Sequence, residues 1–99
     1  MIERLVLLSL RPDFATPDGR AEVVARAEEV IATLPQVLEV AGSAAADERT
    51  AGAWDVCLRI HFASLDDVAA YLPEAKHRAL VDDFLTPRID ALKAFNFER

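Results

Sequence analysis

The sequence predicts an α+β protein whose strands and helices follow one another in the order β-α-β-β-α-β. Two observations support this prediction: short apolar runs alternate with stretches of helical periodicity, and a proline or a polar turn separates most of them. The 99 residues contain no repeat, low-complexity tract or linker. A chain of this length corresponds to one domain, so we expect a single domain over residues 1–99.

The first half of the chain predicts two strands and one helix. Residues 2–10 form a short run that is apolar on both faces, which indicates a strand buried on both sides. Thr16, with a proline after it, is a helix start, and apolar residues then recur at helical spacing as far as Leu34. Residues 37–46 predict a weaker second strand, and residues 47–52 a polar turn.

The second half begins with the clearest strand, residues 54–62, which alternates between apolar and polar side chains. A helix is expected over residues 64–72 behind a capping box. Another is expected over residues 74–92, kinked at Pro87. Residues 94–98 close the chain as a strand. On the polar side of the strand at 54–62 the pattern places Asp55, Cys57, Arg59 and His61.

This order is that of the ferredoxin-like fold, an antiparallel four-stranded sheet with both helices on one face. The face of the sheet opposite the helices must then be covered by solvent or by a partner chain. Leu5 and Leu7 lie on it with an aromatic last strand, so we expect a homodimer through this sheet face. Arg59 and His61 would need polar partners or water within that interface.

The composition of the chain disfavours several classes of binding partner and cofactor. The net charge is −6 and no Lys/Arg cluster occurs, which disfavours nucleic acid and membrane surfaces. No apolar run approaches the roughly 20 residues of a membrane span. The single cysteine, Cys57, permits no intrachain disulfide and suits the cytoplasm. With only two histidines, on separate elements, no metal or other cofactor is predicted.

Several segments, in order, carry a family resemblance over nearly the whole chain. They are I-E-R-L-V-L-L-S-L-R-P, A-T-L-P-Q-V-L-E-V, A-W-D-V-C-L-R-I-H-F-A-S-L-D-D-V-A-A-Y-L, K-H-R-A-L and A-F-N-F-E. Together they resemble the Dabb family, the stress-responsive dimeric α/β-barrel domain. The resemblance implies that two chains pair their sheets into a barrel, with a pocket between sheet and helices in each.

The resemblance also implies a candidate chemistry. A plant branch of the family comprises cofactor-free polyketide cyclases that use a Tyr and a His at the spacing of Tyr71 and His77. This chain departs from that branch elsewhere. Pro73 and Glu74 stand where the family has His-Pro, and Arg4 and Val56 stand where cyclases carry two further histidines.

Tyr71 and His77 are therefore the candidate catalytic residues. In an unbroken helix, residues six apart lie roughly 240° apart around the axis, but Pro73 interrupts the helix between them. His77 would act as base and Tyr71 would hydrogen-bond an enolate oxygen. The alternative is that His77 bonds a backbone carbonyl while Tyr71 fills core volume. The residues expected to line the pocket are Arg4, Val6, Leu8, Trp54, Val56, Leu80 and Phe84.

Three functions stay open at this point. The first is a dimer that binds a small apolar or aromatic molecule, with cyclase or isomerase activity on a polyketide-like substrate. The second is a cofactor-independent monooxygenase. The third is a non-enzymatic, stress-associated dimer with a vestigial pocket.

Overall fold

In a computed structural model that describes residues 1–99, the four strands form one antiparallel sheet in the order β2-β3-β1-β4. The elements are β1 (Ile2–Leu10), α1 (Pro17–Ile31), β2 (Glu39–Ala44), α2 (Glu48–Ala51), β3 (Val56–Phe62), α3 (Leu65–Tyr71), α4 (Ala75–Ala79) and β4 (Ile89–Glu98). A π-helical turn, Leu80–Leu85, follows α4 directly. The predicted ferredoxin-like α+β fold is confirmed.

The core lies between one face of the sheet and the helices. Even-numbered residues of β1 and β3 point into it, and Leu8, Ile60 and Phe62 are fully buried there. From α1, Val23 and Ala27 pack against them at the spacing of one helix face. Strands β1 and β3 occupy the middle of the sheet, and all of their core-facing residues except Arg4 are buried. No helix of the chain is long and apolar enough to cross a bilayer.

The C-terminal third departs from the sequence prediction. The helix expected over residues 74–92 ends in the π-helical turn, and β4 begins at Ile89 instead of residue 94. The wide turn closes through the Thr86 N–H, which donates to the Val81 carbonyl at 2.8 Å. Pro87 comes next and has no N–H, so it ends the helix and does not kink it. Most of β4 is exposed, which is why apolar periodicity did not reveal its first half.

The predicted turn at 47–52 contains a further short helix, α2. The Asp47 carboxylate accepts the Thr50 N–H at 2.7 Å and caps it. Trp54 also belongs to this turn, because its N–H donates to the Thr50 carbonyl at 2.7 Å, and β3 therefore starts at Val56 and not at residue 54. Strand β2 is likewise shorter than the predicted 37–46.

The position of Asp55 also differs from the sequence prediction for this region. Its side chain was expected on the polar face of the third strand, but it is 3% exposed. One carboxylate oxygen accepts the Leu10 N–H at 2.7 Å and the other accepts from Arg20 Nε at 2.9 Å. Asp55 thereby ties β1, α1 and the start of β3 together.

The face of the sheet opposite the helices is mixed. Phe95 and Phe97 of β4 are 44% and 42% exposed on it. Beside them Glu3 accepts hydrogen bonds from His61 Nε2 at 2.9 Å and from Arg99 at 3.0 Å. These bonds, that from His61 foremost, lower the pKa of Glu3. His61 thus has a polar partner within its own chain.

Candidate functional site

A cavity of about 220 Å³ lies between the sheet and the C-terminal helices. Its floor comes from β1, β3 and β4, and its roof from α3, α4 and the π-helical turn. Fourteen residues line it: Arg4, Val6, Ile31, Leu58, Ile60, Tyr71, Leu72, His77, Arg78, Leu80, Val81, Leu85, Leu92 and Ala94. Apolar side chains dominate, and four side chains with polar groups, Arg4, Tyr71, His77 and Arg78, share the cavity. Such a composition is typical of a small-molecule site.

The break between α3 and α4 brings Tyr71 and His77 together. Ser64 caps the start of α3 by accepting the Asp67 N–H at 3.3 Å, and Pro73 prevents α3 from continuing past Leu72. The chain turns, α4 starts at Ala75, and the two rings meet with their centroids 4.4 Å apart at an angle of 46°. Residues that a straight helix would place on different faces thus lie in contact.

His77 has a defined tautomer. Its Nδ1 lies 2.8 Å from the Leu72 carbonyl, which can only accept, so Nδ1 carries the proton and Nε2 has a free lone pair. Leu72 follows the last residue of α3, where helix carbonyls lack intrahelical partners. Desolvation lowers the pKa of His77 below 6.5, outweighing the bond to Leu72, which raises it. His77 is therefore a neutral imidazole at neutral pH.

Tyr71 contributes a protonated hydroxyl. The side chain is 2% exposed and packs edge-on against Phe62, with centroids 5.0 Å apart. Burial raises the pKa of Tyr71 to about 12, against the opposing effect of the Arg4 charge. The hydroxyl has no hydrogen-bond partner in the chain, and its oxygen is not completely shielded from the cavity. It is consequently free to donate to a molecule in the cavity.

Arg4 adds a positive charge to the same cavity. Its Nη1 donates to Asn96 Oδ1 on β4 at 3.0 Å, and no carboxylate lies within ion-pair distance. Desolvation lowers the pKa of Arg4 from its ordinary value, although the guanidinium remains charged.

Four residues expected to line the pocket lie elsewhere. Leu8 and Val56 pair across β1 and β3 and are buried in the core. Each lies two residues along its strand from a residue that lines the cavity, Val6 on β1 and Leu58 on β3, a distance of about 7 Å. Trp54 lies in the turn before β3. Arg4, Val6 and Leu80 lie in the lining of the cavity.

Phe84, the fourth, lines a different and larger cleft of about 520 Å³ between α1 and the C-terminal helices. Arg88 stacks on Phe84, with its guanidinium carbon 4.0 Å from the ring centroid, and also pairs with Glu22 at 3.2 Å. This cleft is more open than the cavity and holds neither a tyrosine nor a histidine. The smaller cavity therefore carries the candidate site despite its size.

Much of the cavity floor was not predicted from the sequence. Leu58, Ile60 and Ala94 line it because Val6 pairs with Leu58 on one side and with Ala94 on the other, while Arg4 pairs with Ile60. The cross-strand register would have identified them, but one sequence does not encode that register locally. No group of three or more His, Cys, Asp or Glu side chains is placed to hold a metal ion.

Comparisons with known proteins agree with this architecture. The family model described as "Stress responsive A/B Barrel Domain" (Dabb) matches residues 2–99. A Dabb family protein with a ferredoxin-like fold from Mesorhizobium loti superposes with a TM-score of 0.81 at 13% identity, covering 99% of this chain and 95% of that one. No curated protein sequence matches significantly.

Two further solved structures share the fold. A dimeric ferredoxin-like protein of unknown function from Thermobifida fusca superposes with a TM-score of 0.81 at 22% identity, covering 99% of this chain and 90% of that one. The hydroxynitrile lyase of Passiflora edulis superposes with a TM-score of 0.77 at 10% identity, covering 97% and 90%. At these identities the likeness concerns the fold.

Proposed function

Because the chain belongs to the stress responsive A/B barrel domain (Dabb) family, we propose that it binds a small apolar carbonyl compound between its sheet and helices and moves a proton on it. The observation that carries this proposal is the contact between the rings of His77 and Tyr71 in a largely apolar cavity, where the imidazole is neutral and the tyrosine hydroxyl has no partner in the chain. The reaction class is that of a cyclase or isomerase. A hydroxynitrile lyase shares the fold, which supports the view that this fold can house an enzyme site.

The proposed chemistry assigns one step to each polar group. His77 Nε2 takes a proton from the carbon beside a carbonyl group, and the electron pair moves onto the carbonyl oxygen. The Tyr71 hydroxyl donates a hydrogen bond to that oxygen as its charge develops. In an unsaturated carbonyl compound the enolate extends over the neighbouring double bond, and return of the proton from His77 to the far carbon completes an isomerisation. In a compound with a second carbonyl group, the enolate carbon attacks that group, and the proton on His77 passes to the resulting alkoxide oxygen to complete a ring closure.

Ligand binding without turnover is the second candidate. It is favoured by the bond from His77 Nδ1 to the Leu72 carbonyl, which would hold the ring in place whether or not His77 reacts. The departures from the cyclase pattern at Arg4 and Val56 point the same way.

Exchange of carbon-bound hydrogen for deuterium separates these candidates. Small apolar ketones are incubated with the protein in D₂O, and NMR follows deuterium uptake at the carbon beside the carbonyl. We expect uptake with the wild-type protein, none above background with His77→Gln, and wild-type uptake with His61→Gln, whose side chain lies on the other face of the sheet. Ligand-induced shifts without uptake would leave only the binding function. Oxygen consumption would indicate a monooxygenase, and neither shifts nor uptake would refute both candidates.

We also propose that the chain forms a homodimer through the sheet face that the helices leave open, in the cytoplasm. The exposed rings of Phe95 and Phe97 support the interface, and the ion pairs of Glu3 supply partners for the polar groups within it. Phe95→Asp should give a monomer by light scattering. The matched control is Leu65→Asp, which alters a 58% exposed leucine on α3 and should leave the mass unchanged. A wild-type monomer would refute the proposal.

A further inference from the structure

Arg4 is a cation without a carboxylate inside an apolar cavity. A guanidinium offers several N–H donors, and the chain uses only the one from Nη1 to Asn96. No Asp or Glu lines the cavity. The other lining cation, Arg78, is already paired with Asp82 at 2.7 Å. The cavity lining therefore contains no negatively charged side chain to match Arg4.

The chain treats its other poorly exposed arginines differently. Arg20, with a side chain 18% exposed, pairs with Asp55 at 2.9 Å, and Arg88, 24% exposed, pairs with Glu22 at 3.2 Å. A desolvated charge without a partner is costly. Burial lowers the pKa of Arg4, which reflects this cost. An anion that enters with a ligand would offset it.

The size of the cavity limits the rest of the ligand. A cavity of about 150 Å³ lined by apolar side chains suffices for benzene, and this one has about 220 Å³. It therefore has room for one aromatic ring, or a short hydrocarbon chain, together with one small polar group. Leu92 lines it from the edge strand β4 and is 42% exposed, which places an opening on that side.

We propose that the cavity binds an apolar monocarboxylate, with the carboxylate paired to the Arg4 guanidinium and the hydrocarbon part against Val6, Ile60 and Leu80. The inference rests on the proposed function, in that the same cavity receives the ligand. It adds the chemical class: the substrate or ligand is an acid, anchored beside Tyr71 and His77. A neutral molecule of the same shape would leave Arg4 without a counter-charge.

Benzoate and its neutral isostere benzamide test this assignment. Affinities are measured by calorimetry or NMR titration at pH 7, where benzoate is ionised. The wild-type protein should bind benzoate about tenfold more tightly than benzamide or better, as expected for a charge-assisted, two-point hydrogen bond. Arg4→Gln should remove the preference and leave benzamide affinity within about twofold. Arg4→Lys should retain part of the preference, because it keeps the charge but not the two-point geometry.

Arg49→Gln is the matched control. It removes the charge of an exposed arginine on α2, outside the cavity, so the preference for benzoate should persist. Equal binding of benzoate and benzamide, or a preference that survives Arg4→Gln, would overturn the assignment while leaving a ligand-binding cavity. Absence of binding by either compound would overturn it together with the proposed function. Preferential benzoate binding without deuterium exchange on ketones would uphold Arg4 and refute only the proton-transfer activity of His77.

Discussion

Replacing Tyr71 by phenylalanine tests the geometry on which the site depends. The hydroxyl has no partner in the chain, so its loss should change the free energy of unfolding by no more than about 0.5 kcal/mol. Tyr71→Ala is the contrasting variant. It deletes a ring that is 2% exposed and packed against Phe62 and His77, and it should cost about 3–5 kcal/mol.

Urea denaturation at one fixed protein concentration measures both variants, since dimerisation would make stability depend on concentration. If the hydroxyl were in fact bonded inside the protein, Tyr71→Phe would cost about 1–3 kcal/mol. A loss of that size would refute the free hydroxyl. The activity of the Tyr71→Phe variant, in contrast to its stability, should be strongly reduced. Removing a donor to a developing oxyanion lowers kcat by roughly 10²–10³-fold, so Tyr71→Phe should be stable but nearly inactive in deuterium exchange.

Two further predictions concern a titration and a buried ion pair. NMR titration should give His77 a pKa below 6.5. The stability that the neutral form of His77 contributes is present above pH 6.5 and is lost as the pH falls through the folded-state pKa. The His77→Gln variant should lack this pH dependence of stability. A pKa at or above 6.5 would contradict the desolvated setting. Asp55→Ala should cost about 3–5 kcal/mol in urea denaturation, because Arg20 and the Leu10 N–H lose a buried partner. Asp47→Ala, an exposed helix cap, should cost only about 1 kcal/mol, and equal losses would show that burial of Asp55 is unimportant.

Local patterns in the sequence were sufficient for the arrangement of elements. The alternation in β3, the start of α1 at Thr16 and the cap of α3 at Ser64 all depend on side chains a few residues apart. Sequence patterns did not predict the elements that lack one apolar and one polar face. The first half of β4 is exposed, and the π-helical turn before it depends on the particular bond from Thr86 to Val81.

For the candidate site, the sequence by itself determined that Tyr71 and His77 flank a helix break at Pro73, because proline chemistry is local. Only the tertiary structure decided that the rings touch and that the Tyr71 hydroxyl is unpartnered. It also decided that Arg4 lacks a carboxylate whereas Asp55 is buried against Arg20. The physical reason is that burial and ion pairing depend on cross-strand register and helix packing, which join residues far apart in the chain.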